Sequence, residues 1–174
     1  MEYLKGNAFI ADFAERTLKN IESSEQNSPY EITLLMNSLY GLLVVPEQRG
    51  YEKLNFIKLD SEIYNSFCKS IKSPQKTSAG VMDLQVLMRH MRNAIAHVNL
   101  EFGSEDGKLS KIKMYDGIGC KSCKQCKTVG GKAYLFYIDV KIVDLRKFVI
   151  EFAKKAVEYW KNKPSQALKK EAQK

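Results

Sequence analysis

Histidine is scarce in this chain: only His90 and His97 occur among 174 residues. That scarcity confines acid–base chemistry near neutral pH to one or two positions, because imidazole is the side chain whose ordinary pKa lies there. Long hydrophobic runs are also missing. No stretch approaches the roughly 20 apolar residues that a membrane span needs, and charged residues interrupt every apolar run of MEYLKGNAFIADFAERTLK, unlike a signal peptide. A cytoplasmic protein without a membrane partner is expected. The sequence holds no Gly-rich phosphate loop, no paired metal-binding carboxylates and no Ser/His/Asp constellation, which weighs against nucleotide hydrolases and proteases. It shows no internal repeat.

A hydrophobic share of 44% with 28% charged residues belongs to a soluble globular protein rather than to a disordered one. A chain of 174 residues buries one respectable core, and two independent domains would each be marginal. One domain over residues 1–163 is expected, followed by a frayed basic tail at 164–174. The net charge of +8 is unevenly placed: residues 1–107 carry 11 Lys/Arg against 14 Asp/Glu, and residues 108–174 carry 17 against 6. This asymmetry fits a polyanionic partner, and it equally fits a solubilising surface with a basic tail. Most of the cations are lysines, so any attraction to phosphate is diffuse and salt-sensitive rather than base-specific.

Apolar spacing predicts a mainly α protein. Phe9–Ile21 forms an amphipathic helix, and the polar run SSEQNSP breaks it. Tyr30–Val45 reads as a nearly all-round apolar helix, and so a core helix, stopped by Pro46. Ser61–Ile71 forms a short helix with Ser61 as N-cap, and residues 72–80, KSPQKTSAG, form a loop. Val81–Val98 places Val81, Leu84, Leu87, Met88, Met91 and Ile95 on one stripe, with Arg89, Arg92 and Asn93 off it. Alternation then replaces helical spacing at Leu100 and Phe102, at Ile112 and Met114, and from Tyr134 to Val140. A small antiparallel hairpin at about 99–142 is expected, with a long loop at 117–132. A closing helix begins at Asp144, with Leu145, Phe148, Val149, Phe152, Val157 and Trp160 on its apolar stripe, and ends at Pro164.

The motif-bearing helix carries Arg92-Asn93-Ala94-Ile95-Ala96-His97. A guanidinium offers a planar fork of donors to phosphate oxygens, and an imidazole can move a proton. Together they can hold and cleave a phosphodiester without a metal, using the 2′-hydroxyl of RNA as the internal nucleophile. On a regular helix the two side chains stand about 140° apart and about 7.5 Å along the axis, so convergence needs a loosened last turn or a second subunit. A structural reading competes: a histidine at a helix C-terminus meets the negative end of the dipole, and an arginine one turn earlier can pair with a carboxylate. His90, beside Arg89, reads as a surface or cleft-lining residue without assigned chemistry.

Cys120, Cys123 and Cys126 form C-x2-C-x2-C in the lysine-rich loop GIGCKSCKQCKTVGGK. Closed structural zinc sites take four ligands. The cluster supplies three, and Cys68 or a second chain would supply the fourth. A basic loop with exposed thiols is the alternative. Lys121, Lys124, Lys127 and Lys132 make the loop a candidate RNA-contacting flap, with Tyr115, Tyr134 and Tyr137 beside it. Cross-strand packing is the preferred role for those tyrosines.

The stretches RNAIAHVNLEF at 92–102 and YEITLLMNSLYGLLVVPEQR at 30–49 resemble the HEPN superfamily, the higher eukaryote and prokaryote nucleotide-binding domains. The first matches that superfamily's Arg-x(4-6)-His signature with a polar residue after the arginine. The second, with DLRKFVIEFAK at 144–154, looks like the branch of bacterial HEPN nucleases typified by small plasmid-borne proteins. The resemblance implies a helical bundle, a homodimer that brings two motifs to one cleft, and metal-independent endoribonuclease activity requiring no cofactor. It places Arg92 and His97 in the catalytic positions and Asn93 in the polar one. Many such proteins act in toxin–antitoxin or phage-defence systems under an antitoxin or other regulatory partner. Others are non-catalytic RNA-binding or protein-interaction modules.

Overall fold

A computed structural model of the chain describes residues 7–23, 31–48 and 59–162. In chain order the elements are α1 (Asn7–Ser23), α2 (Glu31–Gln48), α3 (Ser61–Lys69), β1 (Ile71–Lys72), α4 (Leu84–Ala96), β2 (Leu100–Glu105), β3 (Lys108–Ile118), β4 (Lys127–Val129), β5 (Lys132–Lys141) and α5 (Ile142–Asn162). Helix predominates. The break expected after α1, residues 49–58 and the tail beyond Pro164 lie outside the described residues. Two compact units result, one of Met1–Glu52, Phe56–Leu59 and Val149–Lys174, the other of Lys53–Asn55 and Asp60–Phe148.

In the first unit α1 packs on α2. Gly41 permits the approach: a Cβ there would stand 2.8 Å from the Phe13 ring. Leu35, Leu39 and Leu42 of α2 and Phe152 and Trp160 of α5 are buried, and each large apolar side chain so removed from water contributes about 1.5–3 kcal/mol. Exposed ion pairs, Lys154 with Glu22 and Lys161 with Glu15, add little beside that burial. Contrary to expectation, α2 runs two residues beyond Pro46. Proline withholds one N–H from the turn before it, a small loss so near the end of a helix.

The second unit carries the motif. Its N-caps are aspartates: Asp60 accepts from the backbone N–H groups of Glu62 and Ile63, and Asp83 accepts from that of Val86. The cap of α3 is therefore Asp60 rather than Ser61, since a carboxylate there satisfies two orphan donors and also meets the positive end of the helix dipole. The hairpin is larger than expected. Five antiparallel strands run in the order β1-β5-β3-β2, and β4 pairs with β5 on the edge that β1 also uses. The three alternating segments became β2, β3 and β5. The two extra strands, two and three residues long, are too short for alternation to reveal.

Helix α4 packs on β3. Leu87, Met88 and Met91 of the helix are buried with Ile112 and Met114 of β3 and Phe136 and Ile138 of β5. The register explains why the strand residues share a face: Met114 pairs with Ile138, and Asp116 with Phe136. The start of α5 closes the unit, where Phe148 stacks on Phe67 with ring centroids 4.1 Å apart.

Candidate active site

Helix α4 is regular up to the motif histidine. The N–H of His97 donates to the Asn93 carbonyl at 2.9 Å, and His97 itself is the C-cap. The chain then turns sharply. Val98 N–H donates to the Ile95 carbonyl (3.2 Å) and Asn99 N–H to that of Ala94 (2.8 Å), the bond pair of a Schellman cap. Such a cap needs a left-handed residue, usually glycine, and Val98 takes it at φ 55°. A β-branched side chain in that region costs about 1–2 kcal/mol. Val98 is 77% exposed, so no packing of its own offsets the strain. The Asn99 carbonyl next accepts from Tyr115 N–H, which joins the turn to β3. His97 is thus fixed through its backbone while its side chain is exposed.

The helix does not loosen before His97, so within one chain Arg92 and His97 still project about 140° apart. Arg92 is half-buried and donates from Nε (3.2 Å) and Nη2 (2.8 Å) to the Asn93 side-chain oxygen. Asn93 in turn donates from Nδ2 to Asp116 Oδ2 at 3.1 Å. The same oxygen stands 2.7 Å from Nδ1 of His90. An ionised carboxylate only accepts, so Nδ1 is the donor there. Nε2 of His90 faces the Gln75 amide at 2.6 Å. Both ring nitrogens of His90 thus have a polar partner. The ring also lies flat on Phe136, centroids 5.0 Å apart and planes at 6°. A bonded chain therefore runs Gln75, His90, Asp116, Asn93, Arg92 and reaches the guanidinium of the Arg-x4-His stretch.

A family model described as HEPN pEK499 p136 matches residues 1–163. The chain belongs to this HEPN family. No curated protein and no solved structure matches it. Within the HEPN signature the structure joins Arg92 to Asn93 directly and leaves His97 on another side of α4.

His90, read from sequence as a surface or cleft-lining position, is only 4% exposed. Two signals pointed to the correct place. His90 lies three residues after Leu87 and four before Ala94, on the buried stripe of α4, and Asp116 continues the inward alternation of Ile112 and Met114. An inward carboxylate requires a partner, and the nearest helix supplies one.

The loop residues divide among several roles. Lys121 and Lys132 line one cavity. Lys124 is exposed. The Lys127 ammonium lies 5.7 Å from the centroid of the Tyr137 ring, a cation–π contact within the sheet. Tyr115 and Tyr134 are in ring contact at 4.6 Å, and Tyr137 is buried. The cysteine loop is wound by two tight turns, Cys123 N–H to the Cys120 carbonyl and Cys126 N–H to that of Cys123. Hydrogen bonding to the Ser122 hydroxyl lowers the pKa of the Cys120 thiol. A bond from the Gln125 backbone lowers that of Cys123, and desolvation raises that of Cys126. Cys68 is fully buried on α3, where burial pushes its thiol up. Among the described residues no three His, Cys, Asp or Glu side chains are arranged to hold a metal ion. Nor is any described helix long and apolar enough to cross a membrane.

Proposed function

We propose that this HEPN protein is a metal-independent endoribonuclease acting as a homodimer, in the manner of a toxin or phage-defence effector. The observation that carries the proposal is the arginine's mounting. A guanidinium tied through Asn93 and Asp116 to a buried, stacked histidine is held in place before substrate arrives, which electrostatic stabilisation of a transition state requires. In the reaction the RNA 2′-oxygen attacks phosphorus while His97 takes its proton. The bond from phosphorus to the 5′-oxygen breaks, and the leaving oxygen is protonated by His97 of the partner subunit. The products are a 2′,3′-cyclic phosphate and a 5′-hydroxyl. Arg92 balances charge on the non-bridging oxygens, and Asn93 sets the guanidinium's direction. The separation of Arg92 and His97 around α4 is the reason for the dimer: each face of the cleft then takes one group from each chain.

The test is end-labelled RNA incubated in excess chelator. Cleavage leaving 2′,3′-cyclic phosphate and abolished by His97→Ala is expected; undiminished cleavage by that variant removes the proposal. The same separation supports a second reading, a HEPN module that binds RNA or a protein partner without cutting. In that case binding depends on the lysines of the loop, and His97→Ala changes nothing.

A further inference from the structure

Beside the motif, at the end of the sheet where Ile118 pairs with Tyr134, lies a cavity of about 740 Å³. That is within the size range of small-molecule and nucleotide pockets. Its walls combine three chemistries. Lys121 and Lys132 supply cations from the cysteine loop and from the start of β5. Tyr134 supplies an aromatic surface, and Ile118 a side chain 97% exposed, an apolar group left in water. Asp116 and Asn99 supply polar groups. Glycine lets the strand end pack closely here: a Cβ on Gly119 would stand 2.8 Å from the Tyr134 backbone and 3.0 Å from the Cys126 sulfur.

Asp116 links this cavity to the motif. Both of its bonds, from His90 and from Asn93, arrive at Oδ2. A carboxylate has about four acceptor positions, so Oδ1 remains to accept from a donor, and the side chain keeps 12% of its surface exposed in the cavity it lines. Asn99, two residues beyond His97, uses its backbone N–H and carbonyl in the turn, and its side-chain amide remains for the cavity. A ligand that meets all three chemistries carries an anion, a flat apolar body and a hydrogen-bond donor on its edge.

We infer that this pocket receives one nucleotide of an RNA chain and selects a base with an exocyclic amino group, through the Asp116 carboxylate and the Asn99 amide. The phosphate lies between Lys121 and Lys132, and the base lies against Tyr134 and Ile118. Guanine, adenine and cytosine carry an exocyclic amino group, whereas uracil offers only its ring N3–H, so uracil is the disfavoured base. The inference rests on the reading of RNA as substrate and gives that substrate a sequence preference. Because Asp116 also holds Asn93, occupation of the pocket and the setting of Arg92 share one carboxylate.

Binding of short oligoribonucleotides that differ only in one central base tests this, using the full chain carrying His97→Ala so that nothing is cut. Amino-bearing bases are expected to bind about tenfold more tightly than uracil. Lys121→Gln with Lys132→Gln weakens all of them by about tenfold, and Asn99→Ala narrows the difference between bases. Equal affinity for the four bases, or affinities unchanged in the double lysine variant, overturns the inference. Binding of nucleoside monophosphates without binding of the oligonucleotides also overturns it, because the ligand is then a free nucleotide. The nuclease reading fails separately. If the wild-type chain leaves RNA intact but the base and lysine dependences hold, the pocket stands without the cutting; if RNA is cut with no base preference, the pocket alone falls.

Discussion

His90 and His97 lie seven residues apart on the same helix, within about 20° of the same direction around its axis, and their surroundings are opposite. His90 is covered by β3 and β5, bonded at both nitrogens and stacked on Phe136. His97 stands where α4 ends, before any strand covers it, with its ring exposed. Helical direction alone therefore does not decide what a histidine does; the element packed over it does. The covered residue is an anchor that holds Asp116, and through it Asn93 and Arg92. The uncovered one leaves its ring open to solvent, as the proposed proton transfer requires.

The largest effect expected from breaking this comparison is on stability. Asp116→Ala strands the donors of His90 and Asn93 in a buried site, and a loss of about 2–4 kcal/mol is expected in urea unfolding. A loss under about 0.5 kcal/mol would show that the network contributes nothing to the fold. Next comes the strained cap. Val98→Gly removes the left-handed β-branched residue at an exposed position, and a gain of about 1 kcal/mol is expected, visible as a rise in Tm. A fall in Tm would mean that Val98 makes a stabilising contact. His97→Ala, in contrast to any change at His90, should shift stability by less than about 0.5 kcal/mol.

The smallest effect sharpens the contrast between the tied network and the cysteine loop. A lowered thiol pKa yields thiolate at lower pH, so as pH rises Cys120 and Cys123 should react with iodoacetamide before Cys126. Cys68, buried and pushed up, should remain unmodified in the folded chain. Peptide mapping by mass spectrometry reads the order, and early labelling of Cys126 would contradict it.

The helices were legible because their apolar periods are long: α4 and α5 each repeat their stripe over three turns or more. The three longer strands were legible from alternation, whereas β1 and β4 owe their pairing to β5 and carry no period of their own. The motif was legible as a spacing of residue types, Arg92, Asn93 and His97, because it is local. What mounts Arg92 was not. Gln75, His90 and Asp116 come from three separate segments: the packing of α4 on β3 joins His90 to Asp116, and the loop before α4 brings in Gln75. The polar character of His90 suggested a surface or cleft-lining position, while its place in the stripe, and that of Asp116 in the strand alternation, indicated the interior. The second signal was the correct one, because each residue offset the other's burial.

The most direct test of the account is a pair of cleavage rates, measured on end-labelled RNA in excess chelator at a temperature where both variants are folded. The account predicts that His90→Gln still cuts, more slowly, and that His97→Ala does not cut at all. Cleavage retained in His97→Ala and lost in folded His90→Gln would contradict it, and would place the chemistry on the buried histidine.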